Sequence, residues 1–416
     1  MQKHSFSLFF TLFLLILGIN LAQAQIPERN LIAHFDFENI QNASLTDVSG
    51  NGSSGVFIGD SVLQGCGISG KSARLDGVTN RIIFFGGIND QFKNGDFTLS
   101  LYFKPETTSQ TQALLCKADS CGAEHFLGVR VSTLSRYVEW KARENLQTKQ
   151  SLLKGVYNKS CWHHLVLVKT KAFMYMYLDG KLAKSTPTNG QYNLISNAPL
   201  TIAEHQCLGS DLVRFKGELD EMYVYSRELL PAEIKQLYQP VDKILTRDTV
   251  VYLGNSSFQA FTTRTCANRF EWKPETTVSN PLARTPIITP TETTIYALKF
   301  IDELSGCSTT DSLLVKVIDP TKVGCSKVLL PKAFTPNGDN LNDEFYISNP
   351  YAIEKLASFE IYNRWGNRVF ATDDKFGRWN GDVGAQKSTT DTYIYKIEYE
   401  CADKREIVTD TFTLMR

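Results

Sequence analysis

Apolar and polar residues alternate in short runs along nearly the whole chain after residue 30, as in FTLSLYF (97–103), WHHLVLVK (162–169) and FMYMYLDGKL (173–182). Side chains of a strand point alternately to its two faces, so a period of two in β-branched and aromatic residues predicts strands. Gly, Asn, Asp and Pro separate the runs, as tight turns require. The expected class is all-β. One stretch departs from the pattern. In LLPAEIKQLY (229–238), Pro231 suits the first turn of a helix, and Ile234, Leu237 and Tyr238 recur at helical spacing. A single short helix is expected there, closing a first module, and QPVDKILTRD (239–248) then reads as a linker with its Pro240 and charges.

From about residue 243 to 318 the runs DTVVYLG, SFQAFTT, FEWKP, TTIYALKF and DSLLVKV are spaced as in a small immunoglobulin-like sandwich. So short a segment buries only a modest core, so a bond between Cys266 and Cys307 is expected to matter, at roughly 4 kcal/mol by loop-closure entropy. IDPTKVGC (318–325) leads into a last module.

At the N-terminus, Lys3 and His4 precede the apolar run Leu8 to Leu17 and the small-x-small site Ala22-Gln23-Ala24, which reads as a signal peptide over residues 1–24. No later segment is apolar enough to span a bilayer, so no transmembrane segment is expected in the mature chain. Lys+Arg and Asp+Glu each number 44, and the leader removes one cation, so charge gives no case for nucleic acid or anionic lipid as a partner. Nine cysteines in an exported chain suggest disulfides. Five precede residue 240 (Cys66, Cys116, Cys121, Cys161, Cys207), two are Cys266 and Cys307, and two are Cys325 and Cys401, a grouping that hints at three modules with one thiol left over among the first five.

The first module carries LIAHFDFE (31–38), DVSGNGSSG (47–55), SARLDGVTNRI (72–82), FTLSLYFKP (97–105), the pair WHHLVLVK and MYLDGKL, and FKGELDEMYVYSRELLPAEIKQLY (215–238). In that order these segments resemble the laminin-G-like, concanavalin A-like jelly rolls. The resemblance implies a fold that hosts lectins, adhesion domains and glycosidases alike. Several β-glucanases on it place Glu-x-Asp-x-Glu on one strand face. Here Glu218 and Asp220 fit the first two positions of GELDEM, but position 222 is Met, so no proton donor completes the set and no catalytic residue is expected. The resemblance also implies a structural calcium where the first and last strands meet, with Asp47, Asn51 and Asp220 as oxygen ligands.

Three other groups invite chemistry. His163 and His164 are adjacent on a strand and so should face opposite ways, one packed inward and one in solvent. Trp140, Trp162 and Tyr137 are candidates for stacking on sugar rings. Cys116 and Cys121 fit a bridged loop better than a zinc site, since no second ligand pair follows.

The last module runs VLLPKAFTPNGDNLNDEFYI (328–347), SFEIYNRWGNRVFAT (358–372), GRWNGD (377–382), DTYIYKIEYE (391–400) and DTFTLMR (410–416). This succession resembles the gliding-motility-associated C-terminal domain, the type B sorting domain of the type IX secretion system. The matching positions are Pro336, Asn337, Gly338, Asp339, Asn342, Asp343, Asn363, Arg364, Trp365, Gly366, Trp379, Gly381 and Arg416. The sequence departs at Thr389, Thr390 and Asp391, where the family often has Pro-Ser-Gly. Pro336 and Gly338 suit a rigid surface loop whose Asn and Asp side chains bond their own backbone. The resemblance implies the type IX machinery as a partner and the outer-membrane surface or the extracellular space as the destination.

The expected organisation is a signal peptide (1–24), a jelly roll (25–240), an immunoglobulin-like or PKD-like spacer (241–320) that supplies reach, and a sorting domain (321–416). A binding or adhesion protein with a polysaccharide or glycan ligand fits best. A polysaccharide-degrading enzyme and a non-binding structural surface protein are the rivals.

Overall fold

The structure, a computed structural model, describes residues 27–416 apart from 61, 94, 146–148, 189, 195, 339–341, 385, 402 and 403. The leader therefore lies outside the described residues, as does Asp339.

Strand alternation builds a first domain of two sheets packed face to face. One sheet runs from the edge strand Lys181–Pro187 through Phe173–Leu178, His163–Lys169, Phe97–Pro105, Lys216–Tyr225 and Lys71–Asp76 to Leu63–Cys66. The first strand, Leu31–Phe35, pairs antiparallel with the last long one, Lys216–Tyr225. The second sheet runs from Gln150–Val156 through Tyr137–Arg143, Phe126–Ser132, Thr111–Lys117, Thr201–Ile202 and Arg81–Phe85 to Ser54–Ile58 and two short strands beyond it. Every second side chain enters the space between them. Phe35, Phe57, Phe84, Phe97, Phe103 and Trp140 fill that space, with Leu219, Met222 and Val224 contributed by the last strand.

The outer face of the first sheet is covered as well. The helix Pro231–Leu237 begins with its proline at the first turn and lays Ile234 and Leu237 on Val166, Val168, Tyr177, Tyr223 and Tyr225. Burying both faces of this sheet explains why Phe97–Pro105 and His163–Lys169 are buried along almost their whole length, where a half-solvated strand would alternate.

The middle domain is a four-stranded sheet, Thr249–Tyr252, Cys307–Ile318, Thr294–Asp302 and Arg269–Lys273, with the small pair Phe258–Gln259 and Ile287–Ile288. Trp272, Tyr296, Leu298, Phe300, Leu313 and Val315 form its core. Its cysteines correct the expectation from sequence. Cys266 bonds Cys66 and Cys307 bonds Cys161, so both reach into the jelly roll and neither staples the spacer internally. The reason is packing: the cysteine-bearing loops meet the jelly roll across a buried seam. Instead of supplying reach, the spacer is clamped.

The last domain is a five-stranded sheet ordered Ala333–Phe334, Lys404–Leu414, Asp391–Cys401, Lys355–Tyr362 and Arg368–Thr372, with two small strand pairs beside it. Phe334, Phe345, Trp379, Tyr393, Tyr395 and Phe412 make an aromatic core, and Cys325 bonds Cys401 at its edge. Tyr252 of the middle domain packs on Tyr351 of the last, ring centroids 4.3 Å apart. Among the described residues no helix is long and apolar enough to cross a membrane.

Candidate functional site

The carboxylates of GELDEM lie on the outer face of the first sheet, because Leu219, Met222 and Val224 take the inner one. The alternation slips at Glu221, which takes the bulge with φ of 48°. Glu218 is buried. One of its oxygens lies 2.8 Å from Lys104 Nζ, and the other accepts the Ser72 hydroxyl at 2.6 Å. Lys104 in turn lies 2.7 Å from Asp302 of the middle domain and over the ring of Trp162. The group sits in a seam between the two domains that also contains Asp242, Cys161 and Cys266. Asp220, fully buried, accepts the backbone N–H groups of Ser69 at 3.0 Å and Glu221 at 2.9 Å. Burial pushes its carboxyl up to about 8, with those N–H bonds pulling the other way. Both carboxylates are thus engaged and buried, Glu218 beside the middle domain and Asp220 within the jelly roll.

Asp47, Asn51 and Asp220 each make hydrogen bonds to backbone groups. The Asp47 carboxylate accepts the backbone N–H groups of His34, Ser49 and Ser53, which fixes the turn after the first strand. Asn51 donates to the Leu31 carbonyl at 2.8 Å. Asp220 bonds other segments, and among the described residues no three His, Cys, Asp or Glu side chains gather to hold a metal.

The histidine pair also differs from expectation, since neither member reaches solvent. His163 turns inward beside Phe103 and Tyr157 and bonds Asp179 at 3.2 Å. His164 points outward but is covered by Tyr102 and Tyr238, and it bonds Ser100 at 2.8 Å. Burial lowers its pKa to about 3, so it stays neutral. The aromatic candidates are also engaged. Trp140 is core, Trp162 is in the seam, and the half-buried Tyr137 has the Lys154 ammonium 3.6 Å from its ring centroid. Cys121 bonds Cys207 in place of Cys116. Cys116 is the free thiol, buried and pushed up to about 11 by desolvation, and so unreactive.

The outer face of the second sheet is accessible only in part: Cys116 and Gly128 on its central strands are buried, whereas Leu152 near one edge is 57% exposed. Register places Ile83, Thr201, Cys116, Gly128, Lys141 and Leu152 side by side across it. On the same face, Arg81 and Arg214 both pair with Glu204, at 3.3 and 3.0 Å. Arg130 stands opposite Glu139, half-buried, with no hydrogen bond or ion pair among the described residues. Beside it His205 is buried with Nε2 unpartnered, and burial and then the Arg130 charge lower its pKa to about 4. Sequence reasoning passed over this group because single arginines on alternating strands look like any solvated face. The positions of Glu204 and His205 depend on a loop held by the Cys121–Cys207 bond.

The sorting-motif residues form one connected surface. The Asp343 carboxylate accepts the N–H groups of Asn337 at 2.9 Å and Gly338 at 2.7 Å, and Asn342, at φ 55°, accepts from Thr335 at 2.8 Å. Pro336 adjoins Gly381, where φ is 81° and an added Cβ would lie 3.2 Å from the proline ring. The terminal Arg416 donates to the carbonyls of Ser388 and Gly381 and pairs with Asp382, each at 3.0 Å. Its own N–H goes to Thr390, so the departing Thr-Thr-Asp turn still anchors the terminus. Trp379 is buried, with its indole N–H on the Asp382 carbonyl. Asn363 caps the NRWG turn by accepting from Trp365 and Asn367, Gly366 takes φ 79°, and Arg364 pairs with Asp391. Trp365 is thereby held 78% exposed at the tip.

Comparison with known proteins agrees with this geometry. Residues 80–235 match the model of the concanavalin A-like lectin/glucanases superfamily, and residues 328–412 match the CHU_C type IX secretion signal domain. No curated protein matches the chain. Similar solved structures include domain 4 of AbnA, an extracellular arabinanase from Geobacillus stearothermophilus (21% identity, 50% of this chain and 98% of that one, TM-score 0.41). Others are the receptor-binding domain of botulinum neurotoxin D (12%, 91% and 75%, TM-score 0.43) and the CBM40 domain of a Ruminococcus gnavus sialidase (15%, 35% and 84%, TM-score 0.32). A type IX signal directs export to the cell surface or the extracellular space. Along one exported chain, residues 80–235 thus belong to a concanavalin A-like jelly roll and residues 328–412 to a type IX secretion signal domain.

Proposed function

We propose that the protein is a non-catalytic glycan-binding or adhesion protein, with the outer face of the second jelly-roll sheet as its ligand surface. The observation that carries this reading is the sealed seam. Of the strand carboxylates that a glucanase would use, Glu218 is tied to Lys104, which also holds Asp302 of the middle domain, and Asp220 is buried on backbone N–H groups, while the opposite sheet leaves its outer face partly accessible around Arg130. Arg130 supports the choice of face, because a half-buried guanidinium with no side-chain partner among the described residues presents several N–H donors to an incoming hydroxyl or carboxylate. The membership of residues 80–235 in a superfamily of lectins and glucanases agrees with a sugar ligand.

A glycan and polysaccharide array probed with the chain from residue 25 onward tests the proposal. It is run with calcium and again with chelator, since loop 47–55 is the candidate cation loop in the sequence. Binding to a defined sugar class is expected, and Arg130→Ala should weaken it about tenfold or more, the loss of a charge-assisted hydrogen bond. Silence in both conditions would move the weight to a structural surface protein.

A further inference from the structure

The C-terminal strand Lys404–Leu414 is paired along its whole length on one side, residue for residue, with Asp391–Cys401. On the other side, among the described residues, its strand partner is the two-residue strand Ala333–Phe334, which meets Thr413 and Leu414. The Thr413 N–H donates to the Lys332 carbonyl, away from the Asp391–Cys401 strand. The ladder has no bulge, so the odd-numbered residues all turn their N–H and C=O groups to that outer side. Arg405, Ile407 and Thr409 therefore present a sheet edge with no backbone partner among the described residues, and Ile407 is 56% exposed.

An open edge is a template for another strand, and charged residues on it ordinarily discourage pairing. Here the order of the charges discriminates between registers instead. Two copies of KREIVTD (404–410) meeting antiparallel about a two-fold axis keep their hydrogen bonds only when odd residues oppose odd residues. Centred on residue 406, the pairing sets Glu406 against Glu406 of the other copy. Centred on 408, it sets Glu406 against Asp410. Centred on 407, it sets Lys404 against Asp410 twice and brings the two exposed Ile407 side chains together. Like charges directly opposite are destabilising and opposite charges favourable, so one register of the three stands out.

We infer that this edge is a self-association surface, on which a second copy of this chain adds its Lys404–Asp410 segment antiparallel in the 407-centred register and continues the five-stranded sheet across a two-fold axis. Asp410 already pairs with Lys332 and Arg405 with Glu398 on the surface of one copy. Such exposed pairs are weak and leave Asp410 able to take a second cation.

The test is sedimentation equilibrium of the chain from residue 25 onward over a range of concentrations. A concentration-dependent mass rising to twice the monomer is expected. Lys404→Asp and Asp410→Lys should each weaken the dimer by roughly tenfold or more, since each turns both symmetry-related pairs repulsive. The double variant should restore it, although it does not restore the Lys332 pair, which separates dimer contacts from intrachain ones. A monomer at every concentration would overturn the inference. A dimer indifferent to the single variants, or not rescued by the double one, would overturn it equally, by placing the contact elsewhere.

Discussion

At the scale of residues, what a side chain does depends on what covers it. His164 looks like a solvent-facing member of a pair because strand geometry turns it outward, and the outward direction is correct. It is nevertheless buried between Tyr102 and Tyr238, because the segment after the last strand folds back over that face. The consequence is a pH dependence. In the folded chain the imidazole stays neutral down to about pH 3, whereas the unfolded chain takes up a proton near 6.5. Its contribution to stability is therefore present above about pH 6.5 and is lost as pH falls toward 3. The melting temperature should drop across that window, and the drop should be shallower in His164→Phe, which keeps the ring stack without a titrating group. Parallel slopes for the two proteins would remove His164 from the acid response.

Elements explain how much of this was legible in the sequence. Alternation marked the strands, and Pro231 with Ile234 and Leu237 marked the helix Pro231–Leu237, because each signal is local. The PNGD and NRWG loops were legible for the same reason: Asn, Asp and Gly bond their own backbone, as Asp343 does with Asn337 and Gly338. Partners distant in sequence were not. Cys66 and Cys266 are separated by 200 positions and Cys161 and Cys307 by 146, and cysteine grouping along a chain carries no information about which domains touch. The same blindness hid the Lys104–Glu218–Asp302 seam, since Lys104 reads as an ordinary strand end and Asp302 as a turn residue. The clamp has a direct readout. Protease cleavage within the linker 239–248 should leave the two pieces joined on a non-reducing gel and separate them after reduction. Two fragments without reductant would mean that the cysteines pair within their own domains.

For the whole molecule, two covalent bonds and a buried ion cluster join the jelly roll and the middle domain into one unit, and Tyr252 packs that unit against the secretion domain. An isolated jelly roll ending at residue 240 would leave Cys66 and Cys161 unpaired and uncover Lys104 and Trp162 at the seam, so binding belongs in experiments on the longer chain. The division of labour then follows from coverage. Glu218 and Lys104 on one face join the domains, the proposed ligand face is the one with Arg130, and the last domain carries the export signal.

The distinction between binding and cleavage is the central point, and one incubation decides it. The chain is mixed with the polysaccharide that it retains on the array, and bound protein and newly formed reducing ends are measured in the same samples. Retention without new reducing ends is the expected result, unchanged by Glu218→Gln as long as that variant folds. Reducing ends that accumulate with the wild-type chain and vanish with Glu218→Gln would contradict it, and would mean that the seam opens to admit a substrate.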